Sequence, residues 1–163
     1  MQDLIAKEIV GTFRAVPFEV ALLRIVAAIL LAGLIGAERE WRRRPAGLRT
    51  HMLVSLAACL YVIVGREIVG SDLLAAGEQL RVDPMNLIQA VTAGVAFLVA
   101  GIIITSGGRV QNVTTGASLW LAGAIGLACG GGLIPLAAMA TAAVLVVLVI
   151  LATFTRGEGE SAD

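Results

Sequence analysis

The stretch Gly33–Thr50, GLIGAEREWRRRPAGLRT, is where an apolar run ends abruptly in a cluster of arginines and acids. The run before it is long enough to cross a bilayer, and five arginines follow at once: Arg39, Arg42, Arg43, Arg44 and Arg49. An excess of arginine beside a membrane-spanning segment is typical of a cytoplasmic loop. The stretch therefore predicts a polytopic membrane protein and places this loop, the arginine loop, in the cytoplasm.

The composition supports a membrane bundle. The 163 residues are 58% hydrophobic and 15% charged, and the mean hydropathy is +0.93. Such a chain is too short and too apolar for a bundle plus a sizeable soluble domain. We therefore predict one transmembrane domain over residues 1–163, with no C-terminal soluble domain.

Charge and cysteine usage exclude several kinds of partner. The formal net charge is zero, and the basic residues concentrate in one loop, which argues against binding to nucleic acid. Cys59 and Cys129 both fall in apolar runs without the spacing of metal ligands. A thiol in such a run is usually a small buried hydrophobe. No disulfide, metal site or cofactor is expected.

Five apolar runs predict an all-α bundle of five transmembrane helices, over residues 18–37, 48–66, 87–105, 114–130 and 135–154. Each run is close to the roughly 17 to 25 residues that a helix needs to cross the hydrocarbon core. A cytoplasmic arginine loop puts the N-terminus outside and the C-terminus in the cytoplasm. Seven arginines then lie inside and four basic residues outside, as the positive-inside rule favours: Arg39, Arg42, Arg43, Arg44, Arg49, Arg109 and Arg156 against Lys7, Arg14, Arg66 and Arg81.

Small residues recur at every fourth position in several of these spans. The spacing lets helix backbones approach closely where lipid removes the hydrophobic drive between helices. One interpretation is a homodimer face and the other is packing within one bundle, which we favour because the pattern occurs in several spans. The pattern comprises Ala32 and Gly36, Gly33 and Ala37, Ala96 and Ala100, and Ala122, Gly126 and Gly130.

Two polar clusters are the candidate binding sites, and no catalytic residues are predicted. On the outer side, Arg24 lies inside the first span, where a charge needs a partner, and Asp83 at the start of the third helix is the expected partner. Asp83 before Pro84 is also a typical helix cap. Asn86 and Gln89 continue the face of Asp83 as a polar stripe that could line a cavity or, as we favour, join helices by hydrogen bonds.

The second candidate cluster lies at the cytoplasmic face, where three spans begin or end. Its arginines and exposed helix-start N–H groups would suit an anion, either a lipid phosphate or the carboxylate of a partner. A plain ion pair between Glu38 and Arg42, four residues apart, is the alternative for the first helix. The predicted members are Glu38, Arg39, Arg49, Thr50, Thr114 and Thr115.

Three blocks of this sequence resemble the membrane domain of the MgtC/SapB family of bacterial inner-membrane proteins. They are RIVAAILLAGLIGAEREWRRRPAGLRTHMLVSLAACL from Arg24, DPMNLIQAVTAGVAFLVAGIII from Asp83 and NVTTGASLWLAGAIGLACGGGL from Asn112. The first block is the most specific because it is a long ordered pattern and not one short motif. The resemblance covers about residues 21–154 and implies a multi-pass protein of the bacterial inner (plasma) membrane.

The resemblance also implies a role. The family is linked to adaptation to magnesium limitation and to virulence, with modulation of the F-type ATP synthase by its best-known member. A non-enzymatic regulatory protein that contacts membrane lipids, other membrane proteins or a second copy of itself is the favoured function.

Two other classes of function compete. An oligomeric ion transporter or channel linked to magnesium is disfavoured because no acidic residue lies deep within a predicted span. An enzyme would need a nucleophile with a base, or a metal set, and the single His51 has no evident partner.

Overall fold

A computed structural model describes Met1 and residues 11–70, 83–106 and 109–157. Lys7 and Arg81, two of the basic residues assigned to the outer side, lie outside this part of the chain. The described elements are α1 (Phe18–Trp41), α2 (Leu48–Val69), α3 (Pro84–Ile102), β1 (Ile104–Ser106), β2 (Arg109–Gln111), α4 (Val113–Gly130) and α5 (Ile134–Gly157). The predicted all-α helical bundle is confirmed, with a short β-hairpin added to it.

The helices have the length and composition that membrane crossing requires. Each of α1 to α4 is long and apolar enough to span a bilayer. The described apolar stretch of α5, Ile134–Ile150, is near the lower end of the roughly 17 to 25 residues needed. The chain is therefore a multi-pass membrane protein.

The first helix ends in the arginine loop through a turn that usually contains glycine. Arg43 has a φ of 53°; its N–H donates to Glu40 O at 2.9 Å, and Arg44 N–H donates to Arg39 O at 3.0 Å. These bonds form a Schellman motif with an arginine at the left-handed position. A Cβ in that conformation lies too close to the following carbonyl oxygen, at a cost of roughly 1 kcal/mol.

We therefore expect Arg43→Gly to raise the free energy of unfolding by about 1 kcal/mol. Arg43→Ala removes the same charge but keeps the Cβ, so it should leave stability close to that of the unaltered protein. Thermal unfolding of both variants in detergent measures the difference. Equal melting temperatures for the two variants would show that the left-handed turn carries no strain.

Carboxylates that precede the helix in the sequence cap two of the helix starts. Glu40 Oε2, near the end of α1, accepts a hydrogen bond from Leu48 N at 2.8 Å and so caps α2. Asp83 Oδ1 accepts from Met85 N at 2.9 Å, with Pro84 at the first helical position. The predicted capping role of Asp83 is confirmed.

The core of the bundle lies between α1, α2, α4 and α5. In it, α4 approaches the main chain of α2 so closely that only glycine fits: a Cβ at Gly126 would overlap Ser55 O, and one at Gly130 would lie 2.7 Å from Cys59 O. In the same way, Gly36 of α1 faces Leu48 Cα. These glycines pack within one chain, as the favoured interpretation of the small-residue pattern expects.

The third helix lies at the side of this core. Val91 and Val99 are its buried residues, and Val99 packs against Gly116 of α4. Its small residues Ala96 and Ala100 are half-buried and exposed respectively, so they do not form a close contact comparable to those of α4. Most of the surface of α3 is consequently available to lipid or to another protein.

The hairpin replaces the end of the third predicted span. The span was expected to continue to Thr105, whereas α3 ends at Ile102 and Ile104–Ser106 pairs antiparallel with Arg109–Gln111. Ile103, Ile104 and Thr105 are all β-branched, and such residues favour strands over helices. Two glycines, Gly107 and Gly108, follow in the sequence, and a Gly-Gly pair is a typical hairpin signal.

Candidate functional site

Three charged side chains meet where α1 enters the arginine loop, and we call them the Arg39 cluster: Glu38, Arg39 and Arg42. One Glu38 oxygen, Oε2, pairs with Arg39 Nε, and the other, Oε1, pairs with Arg42 Nε. The Arg39 side chain is 3% exposed and that of Glu38 is 9% exposed. A carboxylate therefore bridges two guanidinium groups, one of which is almost fully enclosed.

A buried histidine lies next to this cluster. His51 is fully buried and within electrostatic range of both Arg39 and Glu38. Its Nδ1 is 2.8 Å from Gly47 O, and its Nε2 is 3.0 Å from Ser118 Oγ. The histidine thus joins the start of α2 to α4, across 67 residues of sequence.

The hydrogen bonds around His51 restrict where its protons lie. Gly47 O can only accept, so Nδ1 carries a proton and donates it. Ser118 Oγ also lies 2.8 Å from Thr115 O, another pure acceptor. A serine hydroxyl has one proton. If Ser118 donates it to Thr115 O, the contact with Nε2 is a hydrogen bond only when Nε2 also carries a proton; otherwise Ser118 donates to Nε2 in place of Thr115 O.

The predicted cytoplasmic cluster is assembled only in part. Glu38 and Arg39 are in contact, and Thr115 is buried beside the His51 network. Arg49 and Thr114 are exposed and Thr50 is half-buried, and within the described residues none of these three makes a side-chain hydrogen bond or ion pair. On a helix, residues one apart point in different directions, so Thr115 faces the bundle and Thr114 points away from it.

The predicted outer cluster does not come together. Arg24 Nη1 donates to Gly130 O at 2.9 Å, at the end of α4, and no ion pair joins it to Asp83 among residues 11–70 and 83–106. Asp83, Asn86 and Gln89 are all exposed. The expected pair is absent because each group has a local partner: Asp83 caps its own helix, and the free carbonyls at the end of α4 attract the Arg24 cation.

Because Arg24 and Asp83 act separately, we expect their effects on stability to add. Arg24→Ala should cost about 1 kcal/mol through the lost bond to the end of α4. Asp83→Ala should cost about 1 kcal/mol through the lost cap. In thermal melts, the double variant should match the sum to within about 0.5 kcal/mol. A double variant much more stable than that sum would reveal a direct interaction between the two side chains.

Two further features of the described residues bear on function. Within them, no group of three or more His, Cys, Asp or Glu side chains is placed to hold a metal ion. An open, apolar groove of about 530 Å³ runs between α2 and α3. Its lining includes Val54, Ala58 and Tyr61 from α2 and Leu87, Val91 and Leu98 from α3.

Sequence reasoning missed the central position of His51 and Ser118. The signal was present, because both lie on the helix faces that carry the small residues. Ser55, one turn after His51, faces Gly126, and Ser118 precedes Ala122 and Gly126 by whole turns. A polar residue in line with a close-packing face is expected to point into the bundle.

Comparison with known proteins identifies the family of this chain. The sequence profile of the MgtC family matches residues 25–156 of this chain. The protein MgtC of Brucella abortus (strain 2308) is 38% identical over 127 residues, which are 78% of this chain and 49% of that relative. The protein MgtC of Salmonella typhimurium (strain LT2) is 35% identical over 130 residues, 80% of this chain and 52% of that relative.

No solved structure matches the chain. The chain spans about half the length of the curated relatives it matches. The family match begins within α1, covers α2 to α4 in full and ends one residue before the end of α5. The extent of the family match and the identity to these relatives lead to one conclusion: the chain belongs to the MgtC family.

Proposed function

We propose that this protein is a non-enzymatic regulator that acts by contacting other components of the bacterial inner membrane. The resemblance to its family suggests a role in adaptation to magnesium limitation and in virulence, through modulation of the F-type ATP synthase. The arginine loop favours an orientation with the N-terminus outside and the C-terminus in the cytoplasm. Lipids and other membrane proteins are then its partners, and a second copy of the chain is a further candidate.

The apolar groove between α2 and α3 is the observation that carries this proposal. Its lining is almost entirely aliphatic, with the Tyr61 ring at one wall. Gly94 of α3 has open space around it, so a helix from another protein could approach the backbone there. Such a surface suits helix-to-helix contact in a membrane and offers no groups for a chemical reaction.

The polar side chains of the bundle support the same conclusion. The described contacts of the buried His51, Ser118 and Thr141 are to the main chain or to each other. Three of these bonds are local to one helix, and the contact between His51 and Ser118 joins α2 to α4. They satisfy polar groups that would be costly in lipid without a partner. His51 and Ser118 are a base and a hydroxyl in contact, but both are fully buried and out of reach of a substrate, which argues against an enzyme.

We expect no magnesium transport by the purified protein in liposomes beyond that of empty vesicles. The described acidic residues lie at or near helix ends: Glu19, Glu38, Glu40, Glu67 and Asp83. Magnesium loses its water shell reluctantly and needs oxygen ligands to replace it. A fluorescent magnesium indicator inside the vesicles measures the flux. A flux that Asp83→Asn abolishes would favour the transporter alternative.

Site-specific photo-cross-linking in native membranes tests the regulatory proposal. A photoreactive amino acid replaces Leu98 in the groove or, as a matched control, Leu34, an exposed leucine of α1 away from the groove. Cells grown at low and high magnesium are irradiated, and the cross-linked products are identified by mass spectrometry. We expect membrane subunits of the F-type ATP synthase at position 98 and not at position 34.

Two results would contradict the proposal. Equal yields at positions 34 and 98 would mean that the groove has no selectivity. If position 98 cross-links only to lipid and to the protein itself at both magnesium levels, the ATP synthase is excluded as its partner.

A further inference from the structure

The Arg39 cluster has more positive than negative charge. Its carboxylate, Glu38, is shared by two guanidinium groups, so the three side chains carry a net charge of +1. Within the described part of the chain, Arg39 has no polar side-chain contact besides Glu38, and this contact uses Nε alone. The two terminal nitrogens of an almost fully enclosed guanidinium are thus left without a protein acceptor.

Among the described residues, no nearby group supplies the missing negative charge. The carboxylate of Glu40 caps Leu48 N at 2.8 Å and forms no ion pair with a described arginine. His51 has its two ring nitrogens on Gly47 O and Ser118 Oγ and cannot be an anion under ordinary conditions. Glu38 is thus shared as counterion by two cations, so one positive charge at a partly enclosed site is left over, and an anion from outside the described residues would neutralise it.

The depth of the cluster in the membrane indicates which anions can reach it. Arg39 lies 21 residues after the start of α1 at Phe18, which corresponds to roughly 30 Å of helix, about the thickness of the hydrocarbon core. Trp41, two residues later, is 87% exposed, as tryptophans at the headgroup level are. The guanidinium groups are therefore at the level where phosphate groups of lipids lie.

We propose that Arg39 and Arg42 bind a phosphate group, with Glu38 holding the two guanidinium groups in place. Guanidinium groups suit phosphate because their parallel N–H donors match two of its oxygens at once. Arg42, 26% exposed, is the side from which the phosphate enters. The phosphate comes either from an anionic phospholipid or from solution, and its binding is independent of the proposed partner protein.

Binding to the purified protein in a phosphate-free detergent tests the proposal. Two probes are titrated at constant ionic strength, inorganic phosphate and phosphatidylglycerol in mixed micelles, with the melting temperature as the readout. Arg42→Gln makes the cluster neutral without emptying the enclosed position of Arg39. Arg49→Gln removes an exposed arginine from the same end of the bundle and is the matched control.

We expect at least one probe to raise the melting temperature of the unaltered protein. Arg42→Gln should weaken the affinity for that probe about tenfold, since a hydrogen bond to a charged group is lost, and Arg49→Gln should leave it unchanged. A response to both probes assigns the site to any phosphate, and a response to one probe alone identifies the source.

Two results would overturn the proposal. One is that neither probe raises the melting temperature of the unaltered protein. The other is that Arg49→Gln weakens binding as much as Arg42→Gln, since this would reduce the effect to general attraction of anions by the arginine loop.

Discussion

Replacing Gly126 by alanine is expected to lower the free energy of unfolding by about 3 kcal/mol, the upper part of the usual range for overpacking. The added Cβ would overlap Ser55 O and lie 2.8 Å from the Cβ of Ala58. Both obstacles belong to or adjoin the main chain of α2, so no side-chain rotation can relieve them. The two helices would have to separate, and the contacts along their whole interface would loosen.

Gly94→Ala is the matched control for this prediction. It makes the same chemical change inside another spanning helix, at a position where nothing lies within 4 Å of the added Cβ. Alanine favours helix over glycine by about 1 kcal/mol, so this variant should be as stable as the unaltered protein or more stable. A lower free energy of unfolding for Gly126→Ala, with an equal or higher one for Gly94→Ala, would confirm the close contact. Similar losses at both positions would mean that α4 and α2 do not meet at Gly126.

The small-residue spacing predicted that close contact but not the helices that make it. A repeat of four residues identifies the face of a helix where a backbone can approach. It does not say which neighbour fills that face, because the partner is chosen by the packing of the whole bundle. The repeats of α4 and of Ala96 and Ala100 look alike in the sequence, yet the first packs tightly on α2 and the second does not.

Sequence patterns predicted best those features that are determined by residues close together in the sequence. The apolar run starting at Phe18 and the cap at Asp83 with Pro84 both depend on neighbouring residues, and both are confirmed. The ion pair of Glu38 and Arg42, four residues apart on one helix, is confirmed as well. Each is set by helix geometry within a turn or two.

The polar contacts between helices were predicted less well, and the reason is the nature of their acceptors. Arg24 was expected to seek a carboxylate, but it donates to a main-chain carbonyl, Gly130 O. His51 likewise uses the main chain of Gly47 and a serine of another helix. Every residue carries a carbonyl, so the sequence does not distinguish the one that a fold leaves free at a helix end.

Glu38→Gln is expected to lower the free energy of unfolding by about 2 kcal/mol. Removal of the carboxylate leaves Arg39 and Arg42 without their common counterion, and Arg39 is almost fully enclosed. The loss stays below the roughly 3–5 kcal/mol of breaking a fully buried pair, because Arg42 is partly exposed and water can solvate it. Thermal or denaturant unfolding in phosphate-free detergent measures the change.

The double variant Glu38→Gln with Arg42→Gln separates charge from packing. If repulsion between two uncompensated arginines causes the loss, removing one of them should restore about half of the stability lost in Glu38→Gln, since a single cation remains enclosed. Glu40→Gln is the control, because that carboxylate caps Leu48 N and pairs with no described arginine. It should cost about 1 kcal/mol with or without Arg42→Gln. A Glu38→Gln loss that Arg42→Gln leaves unchanged would mean that Glu38 stabilises the bundle through its shape and not through its charge.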